Sequence, residues 1–329
     1  MNKNRYIIES TYEGKRLDWW LKKNFSNLKF SYIEKLVRTG QVRVNGGRIK
    51  ASYKLSAGEE VRVPPFIFNE VKRFIKSNEF YKVLSQRILY CDKDVIIFDK
   101  PYGLAVQDGS KVSYSVDSII SSLDSELGAN ARLVHRIDKN TSGALIVARS
   151  LKSSSLFQEK FINSHIKKLY WAIVIGKPKK GFGIIDFPLS KKNVSKSYEK
   201  VVVDLNGLKA ISMYKVIDTK DNYSWLLLSP VTGRKHQLRA HCAEIGCPIV
   251  GDQKYIIDSK MKQNSIGVFS MTQLFARKII IHESIDEKYS VEAPVPSHMR
   301  SIIDYIGFKY NMVKLNEIES IFEKKIYDY

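Results

Sequence analysis

The stretch HRIDKNTSGALIVA, residues 135–148, decides how this chain is interpreted. A polar loop with a histidine, an arginine and an aspartate runs directly into the apolar residues 144–148, a pattern typical of a buried strand. The chain has a formal net charge of +20, so a carboxylate held among cations is a notable feature. From the pattern alone, Asp138 is either the capping residue of a turn or a reacting carboxylate. We take it as the candidate for covalent chemistry.

Length and charge limit the class of protein. With 329 residues, 44% of them hydrophobic, the chain can bury a substantial core, and we expect about two domains. The composition of 54 Lys and Arg against 34 Asp and Glu favours a partner that carries phosphates, although AT-biased coding also enriches lysine. Residues 1–65 hold fourteen Lys and Arg and six Asp and Glu, so the positive excess is pronounced at the amino-terminal end.

The cysteines and the amino-terminal residues indicate in which cellular compartment we expect the protein. The chain has three cysteines, Cys91, Cys242 and Cys247, and their spacing is not that of metal ligands. We therefore expect neither a disulfide framework nor a metal site, and we expect the protein to work in a reducing environment. The first residues lack the apolar core of a signal peptide, and no run approaches the roughly 18 apolar residues of a membrane span. We therefore expect a soluble cytoplasmic protein that does not contact a membrane.

Residues 12–64 have the pattern of a compact basic unit. Helical spacing of apolar residues predicts a helix that begins near Arg16, and the N-cap residue Ser31 predicts a second helix. Alternating residues at 41–46, which end in an Asn-Gly turn, and at 60–63 predict short strands. Basic residues lie between the apolar positions: Lys35, Arg38, Arg43, Arg48 and Lys50.

This order of elements resembles the S4-like RNA-binding domain. The patterns R-L-D-x-x-L at residues 16–21 and K-L-x-x-G-E-x-V-x-V-P at 54–64 carry the resemblance, which covers nearly all of residues 14–64. It implies a basic surface that binds RNA phosphates by shape and charge. The alternative is a solvated basic face with no partner. The RNA-binding residues implied are Arg16, Lys35, Arg38, Arg43, Arg48 and Lys50.

Two later segments carry further polar groups in an apolar setting. Residues 168–176, KLYWAIVIG, are apolar on both faces and predict a buried strand. Residues 229–241, SPVTGRKHQLRAH, predict a helix that opens near Lys235 and ends at Gly246. Cations at the start of a helix oppose its dipole, so they indicate an anion nearby.

Together with residues 135–143, these segments resemble the RluA-type pseudouridine synthases. The matching signatures are HRLD-x-x-TSG, K-x-Y-x-A-x-V-x-G and TGR-x-HQ-[IL]-R-x-H, and the resemblance spans residues 14 to about 296. It implies an α+β fold: a small amino-terminal α/β domain of the S4-like type, and a catalytic domain with a mixed, mainly antiparallel β-sheet flanked by helices. We expect the S4-like domain at 12–64, a linker at 65–83, the catalytic domain at 84–300 and a helical tail at 301–329.

The resemblance also implies roles for individual residues. Asp138 would act on the ribose or the base, Tyr170 would stack on the target uracil, and Arg239 would pair with the carboxylate and keep it ionised. Whether the carboxylate attacks the ribose, attacks the base or removes a ribose proton stays open. By pattern alone, Tyr170 would ordinarily be a core aromatic residue, and only the match to the family motif favours the site.

The resemblance also implies RNA-binding roles for residues that are close to these three in the sequence. Arg136 would fill the space that a flipped-out uridine leaves in the RNA helix, unless it is a surface arginine paired with Asp138 or Asp99. Phosphate contact or loop fixing is implied for Arg234 and His236, and RNA binding for His135 and Lys235.

The chain departs from the family pattern at three places. Ile137 replaces a leucine, Lys235 replaces a small hydroxyl residue, and residues 269–274 lack a histidine that the family often has. None of these changes involves Asp138, Tyr170 or Arg239.

The function implied is isomerisation of uridine to pseudouridine in 23S rRNA, without a cofactor or a metal. We expect a monomer that binds 23S rRNA or an assembling large-subunit particle. The alternatives are the same reaction on other rRNA or tRNA uridines, a non-catalytic RNA-binding assembly factor, and a small-molecule hydrolase.

Overall fold

The computed structural model divides the chain into two compact units, Met1–Lys82 and Val83–Tyr329. The structure describes residues 4–25, 30–64, 83–108, 114–122, 131–195, 198–256, 270–283, 287–309 and 311–327. The expected linker at 65–83 therefore lies outside the described residues, apart from Val83. No helix in these ranges is long and apolar enough to cross a membrane.

The first unit is built around a three-stranded antiparallel sheet. In chain order its elements are β1 (Arg5–Ile7), a 3-10 turn (Ser10–Tyr12), α1 (Leu17–Asn24), α2 (Phe30–Arg38), β2 (Arg43–Val44) and β3 (Glu60–Arg62). The strand order is β1-β3-β2. The predicted helices and short strands are confirmed, and α2 begins at Phe30, one residue before the expected cap. Strand β1 was missed, because it is only three residues long and forms through pairing with β3, so its own sequence is too short to show a strand pattern.

Apolar side chains at the predicted spacings form the core of this unit. Leu17, Leu21, Ile33 and Val61 are at most 1% exposed, which explains why two short helices and three short strands hold together. The Asn45–Gly46 turn adopts positive φ at both residues, as a tight hairpin requires.

The second unit is a ten-stranded sheet with helices against it. Its strands are β4 (Ile88–Cys91), β5 (Val95–Lys100), β6 (Arg132–Leu133), β7 (Ser142–Ala148), β8 (Ile166–Ile175), β9 (Phe182–Asp186), β12 (Ile211–Lys220), β13 (Tyr223–Pro230), β14 (Leu274–His282) and β15 (Lys288–Glu292). A separate hairpin consists of β10 (Leu189–Ser195) and β11 (Tyr198–Val203). The helices are α3 (Val116–Ser122), α4 (Leu151–Ile162), α5 (Gln237–Glu244), α6 (Ser297–Ile306) and α7 (Met312–Tyr327).

The order of the large sheet is β4-β5-β7-β14-β8-β13-β12-β9, with β15 on β14 and β6 on β7. Every pairing is antiparallel except that of β7 with β14. The expected mixed, mainly antiparallel sheet is thus confirmed. The central strands β5 and β7 are buried along their whole length, in keeping with their continuous apolar sequences.

Gly143 allows the parallel pair to form. Its φ is +106°, and a Cβ atom there would lie 2.2 Å from the carbonyl oxygen of Ala276 on β14. Only glycine adopts this backbone conformation without strain and leaves room for the neighbouring strand. The strand β7 therefore starts immediately after the loop that carries Asp138. Its first residues, Ser142 and Gly143, pair with Phe275 and Ala276 of β14.

The carboxyl-terminal residues belong to the core of the second unit. The expected boundary at residue 300 falls inside α6, and the predicted helix at 315–326 is present within α7. Leu315, Phe322 and Ile326 are at most 2% exposed and join the same apolar cluster as Trp171 and Trp225 of the sheet.

Candidate active site

The loop between β6 and β7 presents Asp138 at the start of a buried strand. The amide of Thr141 donates to the Asp138 carbonyl at 3.0 Å, which closes a tight turn. Beneath it, the fully buried Lys100 donates to the carbonyls of Leu104 at 2.8 Å and Lys139 at 3.3 Å, and so ties two loops together. Burial lowers the pKa of Lys100 to about 7, against the opposing effect of the charges on Asp138 and Asp99. The loop therefore has a defined shape.

Arg239 connects two carboxylates. Its Nη1 donates to Oδ2 of Asp138 at 3.2 Å, while Nε and Nη2 donate to the two oxygens of Asp252 at 2.6 and 2.8 Å. Burial opposes the charge on Arg239, but the bonds and charges of Asp252 and Asp138 outweigh it and raise the pKa of the guanidinium. Helix α5 supplies Arg239 and the segment after it supplies Asp252, so the pair fixes where the Asp138 carboxylate points.

Tyr170 lines the same groove as Asp138 and Arg239. The side chain lies on β8 and is 7% exposed. Burial, and then the charge of Asp138, raise the pKa of its phenol, so the ring is neutral at physiological pH. The structure thus brings together the three residues that the sequence singled out as catalytic, which are more than thirty positions apart along the chain.

His236 forms part of the wall next to Asp138. Its Nε2 lies 3.9 Å from Oδ1 of Asp138, and its Nδ1 lies 3.1 Å from the hydroxyl of Tyr255. It precedes α5 in a left-handed conformation, with φ at 52°. Burial lowers the pKa of this imidazole to about 4. The nearby Asp138 opposes this shift, whereas the charges of Arg239, Lys254 and Lys235 also lower the pKa. His236 is therefore neutral near pH 7.

Three further cations of the expected RNA-binding set lie at the groove. Arg136 is exposed and donates to the Gln107 side chain at 2.6 Å, rather than to Asp138 or Asp99. Arg234 donates to the Lys209 carbonyl at 3.0 Å, and Lys235 pairs with Glu199 at 2.6 Å. Asp99 pairs with Arg87 instead.

His135 occupies a different position from the one expected. Its Nε2 accepts a hydrogen bond from the Ile146 amide at 2.8 Å, its ring packs on Phe161 with centroids 4.9 Å apart, and its Nδ1 is buried. Burial, then the charge of Lys168, lower its pKa to about 3. Both ring nitrogens are thus turned away from solvent, and the expectation of RNA contact by His135 is replaced by a contact that holds the loop on β7.

The basic residues of the first unit divide into two groups. Arg16 pairs with Asp18 at 2.6 Å, and Arg43 donates to the carbonyls of Gly40 and Gly46, both at 3.2 Å, so these two arginines hold their own local structure. The remaining four side chains are exposed: Lys35, Arg38, Arg48 and Lys50.

Three residues of the site, Asp252, Tyr255 and Lys100, were not predicted from the sequence. Asp252 and Tyr255 lie in the segment 246–255, which shares the family pattern, yet no role followed from their spacing. Tyr255 is 3% exposed, and its ring lies 5.1 Å from the Arg239 guanidinium carbon. Lys100 gave a weaker signal, because a lysine at the end of an apolar strand is ordinarily solvated.

The arrangement suits chemistry on an anionic polymer. One ionisable carboxylate, held by an arginine, faces a groove with a neutral aromatic ring and several cations along its walls. A carboxylate so placed can act as a nucleophile or as a base. Among the residues that the structure describes, no group of three His, Cys, Asp or Glu side chains could hold a metal ion.

Comparisons with known proteins agree with this geometry. Residues 94–244 match the family model for RNA pseudouridylate synthase, and residues 15–61 match the model for the S4 domain. The human protein titled RNA Pseudouridylate Synthase Domain Containing 4 has the same fold, with a TM-score of 0.60 and 24% identity. That match covers 72% of this chain and 99% of the human one.

Two curated relatives are similar along most of their length. "Ribosomal large subunit pseudouridine synthase C" of Vibrio parahaemolyticus is 32% identical over 302 residues, which is 90% of this chain and 94% of the relative. The protein of the same name from Rickettsia conorii is 36% identical over 261 residues, which is 76% of this chain and 84% of the relative. The resemblance seen in the sequence is confirmed: the chain belongs to the family of RNA pseudouridylate synthases, enzymes that isomerise uridine to pseudouridine, and it carries an S4 domain.

Proposed function

We propose that this protein converts specific uridines of 23S rRNA to pseudouridine, with Asp138 as the carboxylate that reacts. The relatives are named for the ribosomal large subunit, whose long RNA is the 23S molecule. The observation that carries the assignment of the site is the 3.2 Å contact between Asp138 and Arg239 in a groove that Tyr170 also lines. We further propose that the protein acts in the cytoplasm as a monomer, on 23S rRNA or on an assembling particle.

The reaction breaks the bond from the ribose C1′ to N1 of uracil and forms a bond from C1′ to C5. The proton on C5 is lost to solvent and N1 takes up a proton, so the product is an isomer of uridine. Asp138 either attacks the nucleotide or removes a ribose proton. Arg239 donates to the carboxylate and aims it at the reacting atoms. Each of these routes needs the uracil to stay in place while it is detached.

Tyr170 supplies that restraint in the proposal. Stacking on an aromatic ring contributes about 1 to 3 kcal/mol per base, and burial keeps the phenol neutral. Arg136, which is exposed at the rim, takes the place of the flipped-out uridine in the RNA helix. Arg234, Lys235 and His236 bind phosphate or fix the loop beside α5, and His135 positions the catalytic loop.

The test is Asp138→Asn, which keeps the size of the side chain and removes its charge. We expect pseudouridine formation on a 23S rRNA transcript to fall at least about a thousandfold, with RNA binding nearly unchanged. Asp304→Asn, at an exposed position of α6, is the control and should retain full activity. Wild-type levels of product from Asp138→Asn would overturn the assignment. Mapping of pseudouridines in the rRNA of cells that lack the gene identifies the uridines.

A further inference from the structure

Lys168 is a groove residue to which the mechanism above gives no task. It lies on β8 two positions before Tyr170, and side chains two positions apart on a strand share one face of the sheet. Both residues line the groove that contains Asp138. The residues between and after them, Leu169 and Trp171, point to the opposite face, where Trp171 donates to Glu319 of α7 at 3.0 Å.

The ammonium group of Lys168 has no polar partner among the residues that the structure describes. Its Nζ lies 5.4 Å from the centre of the Phe161 ring, and no described carboxylate or carbonyl binds it. The neighbouring groove cations differ in this respect, since Arg239 pairs with Asp138 and Lys235 pairs with Glu199. The side chain is half-buried, and burial lowers its pKa to about 8.

A half-buried cation without an anion is unfavourable in the free protein. Such an arrangement becomes favourable when a ligand brings the anion. The ammonium of lysine is a compact point charge with three donors, which suits the oxygens of a phosphate. Two positions along a strand are about 7 Å apart, so a base on Tyr170 and the phosphate of the same nucleotide can be held from one strand.

We infer that Lys168 is a further RNA contact of this groove and that it binds a phosphate flanking the uridine that is presented to Asp138. The inference rests on the proposed function for the identity of the RNA. It makes Lys168 a positioning residue: it holds the nucleotide and takes no part in bond breaking.

The experiment compares Lys168→Met with Lys167→Met in the full-length protein. Lys167 is the adjacent residue, on the opposite face of β8, so the control removes the same charge from the same strand. Equilibrium binding to a 23S rRNA transcript is measured over a range of KCl concentrations, and kcat and KM are measured on the same RNA. Lys168→Arg tests whether a restored charge restores binding.

We expect Lys168→Met to weaken binding and raise KM about tenfold. The slope of log affinity against log salt should become shallower by about 0.7 to 0.9, the effect of one lost phosphate contact, while kcat changes less than KM. Lys168→Arg should recover most of the slope, and Lys167→Met should match the wild type. A role confined to packing on Phe161 would change the unfolding temperature and leave the slope unchanged.

Two results would overturn the inference: a wild-type salt slope in Lys168→Met, or an equal change in Lys167→Met. Failure of the proposed function is a separate observation, because it appears as absence of product from the wild-type enzyme. Binding titrations do not depend on turnover, so they test Lys168 in either case.

Discussion

Arg239 divides one guanidinium between two carboxylates. Asp252 is fully buried and takes two of the donors, which leaves Nη1 for Asp138. A lysine cannot reproduce this geometry, because its single ammonium lacks the planar fork that binds both oxygens of Asp252 while a further donor reaches Asp138. The geometry of the site thus depends on the type of cation as well as on its charge.

Arg239→Lys should therefore lower kcat at least about tenfold although the charge is kept. The measurement is single-turnover pseudouridine formation at saturating RNA. Arg277→Lys is the matched control, since Arg277 is another buried arginine paired with Glu292, and it lies outside the groove. Equal loss of activity in both variants would show that the effect is general destabilisation.

His135 makes stability depend on pH. Burial, with a contribution from Lys168, lowers its pKa to about 3, whereas an unfolded histidine titrates near about 6.5. Between these values the unfolded chain binds a proton that the folded chain does not. Folding stability therefore falls as the pH decreases from about 6.5 towards 3, by about 1.4 kcal/mol per pH unit from this residue.

His135→Asn should reduce the slope of the unfolding free energy against pH by the amount that corresponds to one bound proton. The amide oxygen of asparagine can accept the Ile146 hydrogen bond without titrating. Urea unfolding at pH values from 4 to 6 measures the slope for the wild type and the variant. Parallel curves would mean that His135 is protonated in the folded protein.

At the level of elements, α7 is an integral part of the catalytic unit. Trp171 of β8 donates to Glu319, and Lys278 of β14 pairs with Glu323 at 2.8 Å. Phe322, on the same helix, is 1% exposed and belongs to the main apolar cluster. The helix therefore covers the face of the sheet opposite the groove, and it supports β8 behind Tyr170 and Lys168.

Phe322→Ala should destabilise the catalytic unit by about 3 to 5 kcal/mol, because it leaves a cavity in the main core. Its neighbour Ile321 is 57% exposed, and Ile321→Ala should change stability by no more than about 0.5 to 1 kcal/mol. Urea unfolding of the full-length protein gives both values. A small effect of Phe322→Ala would show that α7 is detached from the sheet in solution.

At the scale of the whole molecule, we propose that the S4 unit adds RNA affinity to that of the groove and that the chemistry takes place in the second unit. The S4 unit has its own core and presents exposed cations, whereas Asp138, the carboxylate proposed to react, lies in the second unit. Phosphate contacts contribute affinity that depends on salt and carry little sequence information. Loss of charge on the S4 unit should thus affect binding and leave the chemical step intact.

The variant that tests this division replaces four exposed cations of the S4 unit with glutamine: Lys35, Arg38, Arg48 and Lys50. The slope of log affinity against log salt should become shallower by up to about 3, with kcat at saturating RNA unchanged. A control with the same loss of charge replaces four exposed lysines of the second unit: Lys152, Lys177, Lys179 and Lys180. An equal change in both proteins would contradict a specific role for the S4 unit.

Local patterns predicted most elements of the fold. The strand around Tyr170, the helix after Lys235 and the two short S4 helices follow from apolar periodicity and from the residues at helix ends, which are properties of neighbouring residues. Strand β1 could not be predicted in this way, because it exists only through pairing with β3. The parallel pairing of β7 with β14 also lies beyond local patterns, since more than 120 residues separate the two strands.

The amino-acid sequence by itself determined the family, the two-part organisation and the identity of Asp138, Tyr170 and Arg239 as candidates, because short motifs keep their spacing within one segment. Tertiary structure alone decided which charges meet. It gave Arg239 a second carboxylate in Asp252, turned His135 inward to β7, and placed Lys168 in the groove with no anion beside it among the residues that the structure describes. Ion pairing and burial depend on distances across the fold, and distances between segments are not encoded in any one of them.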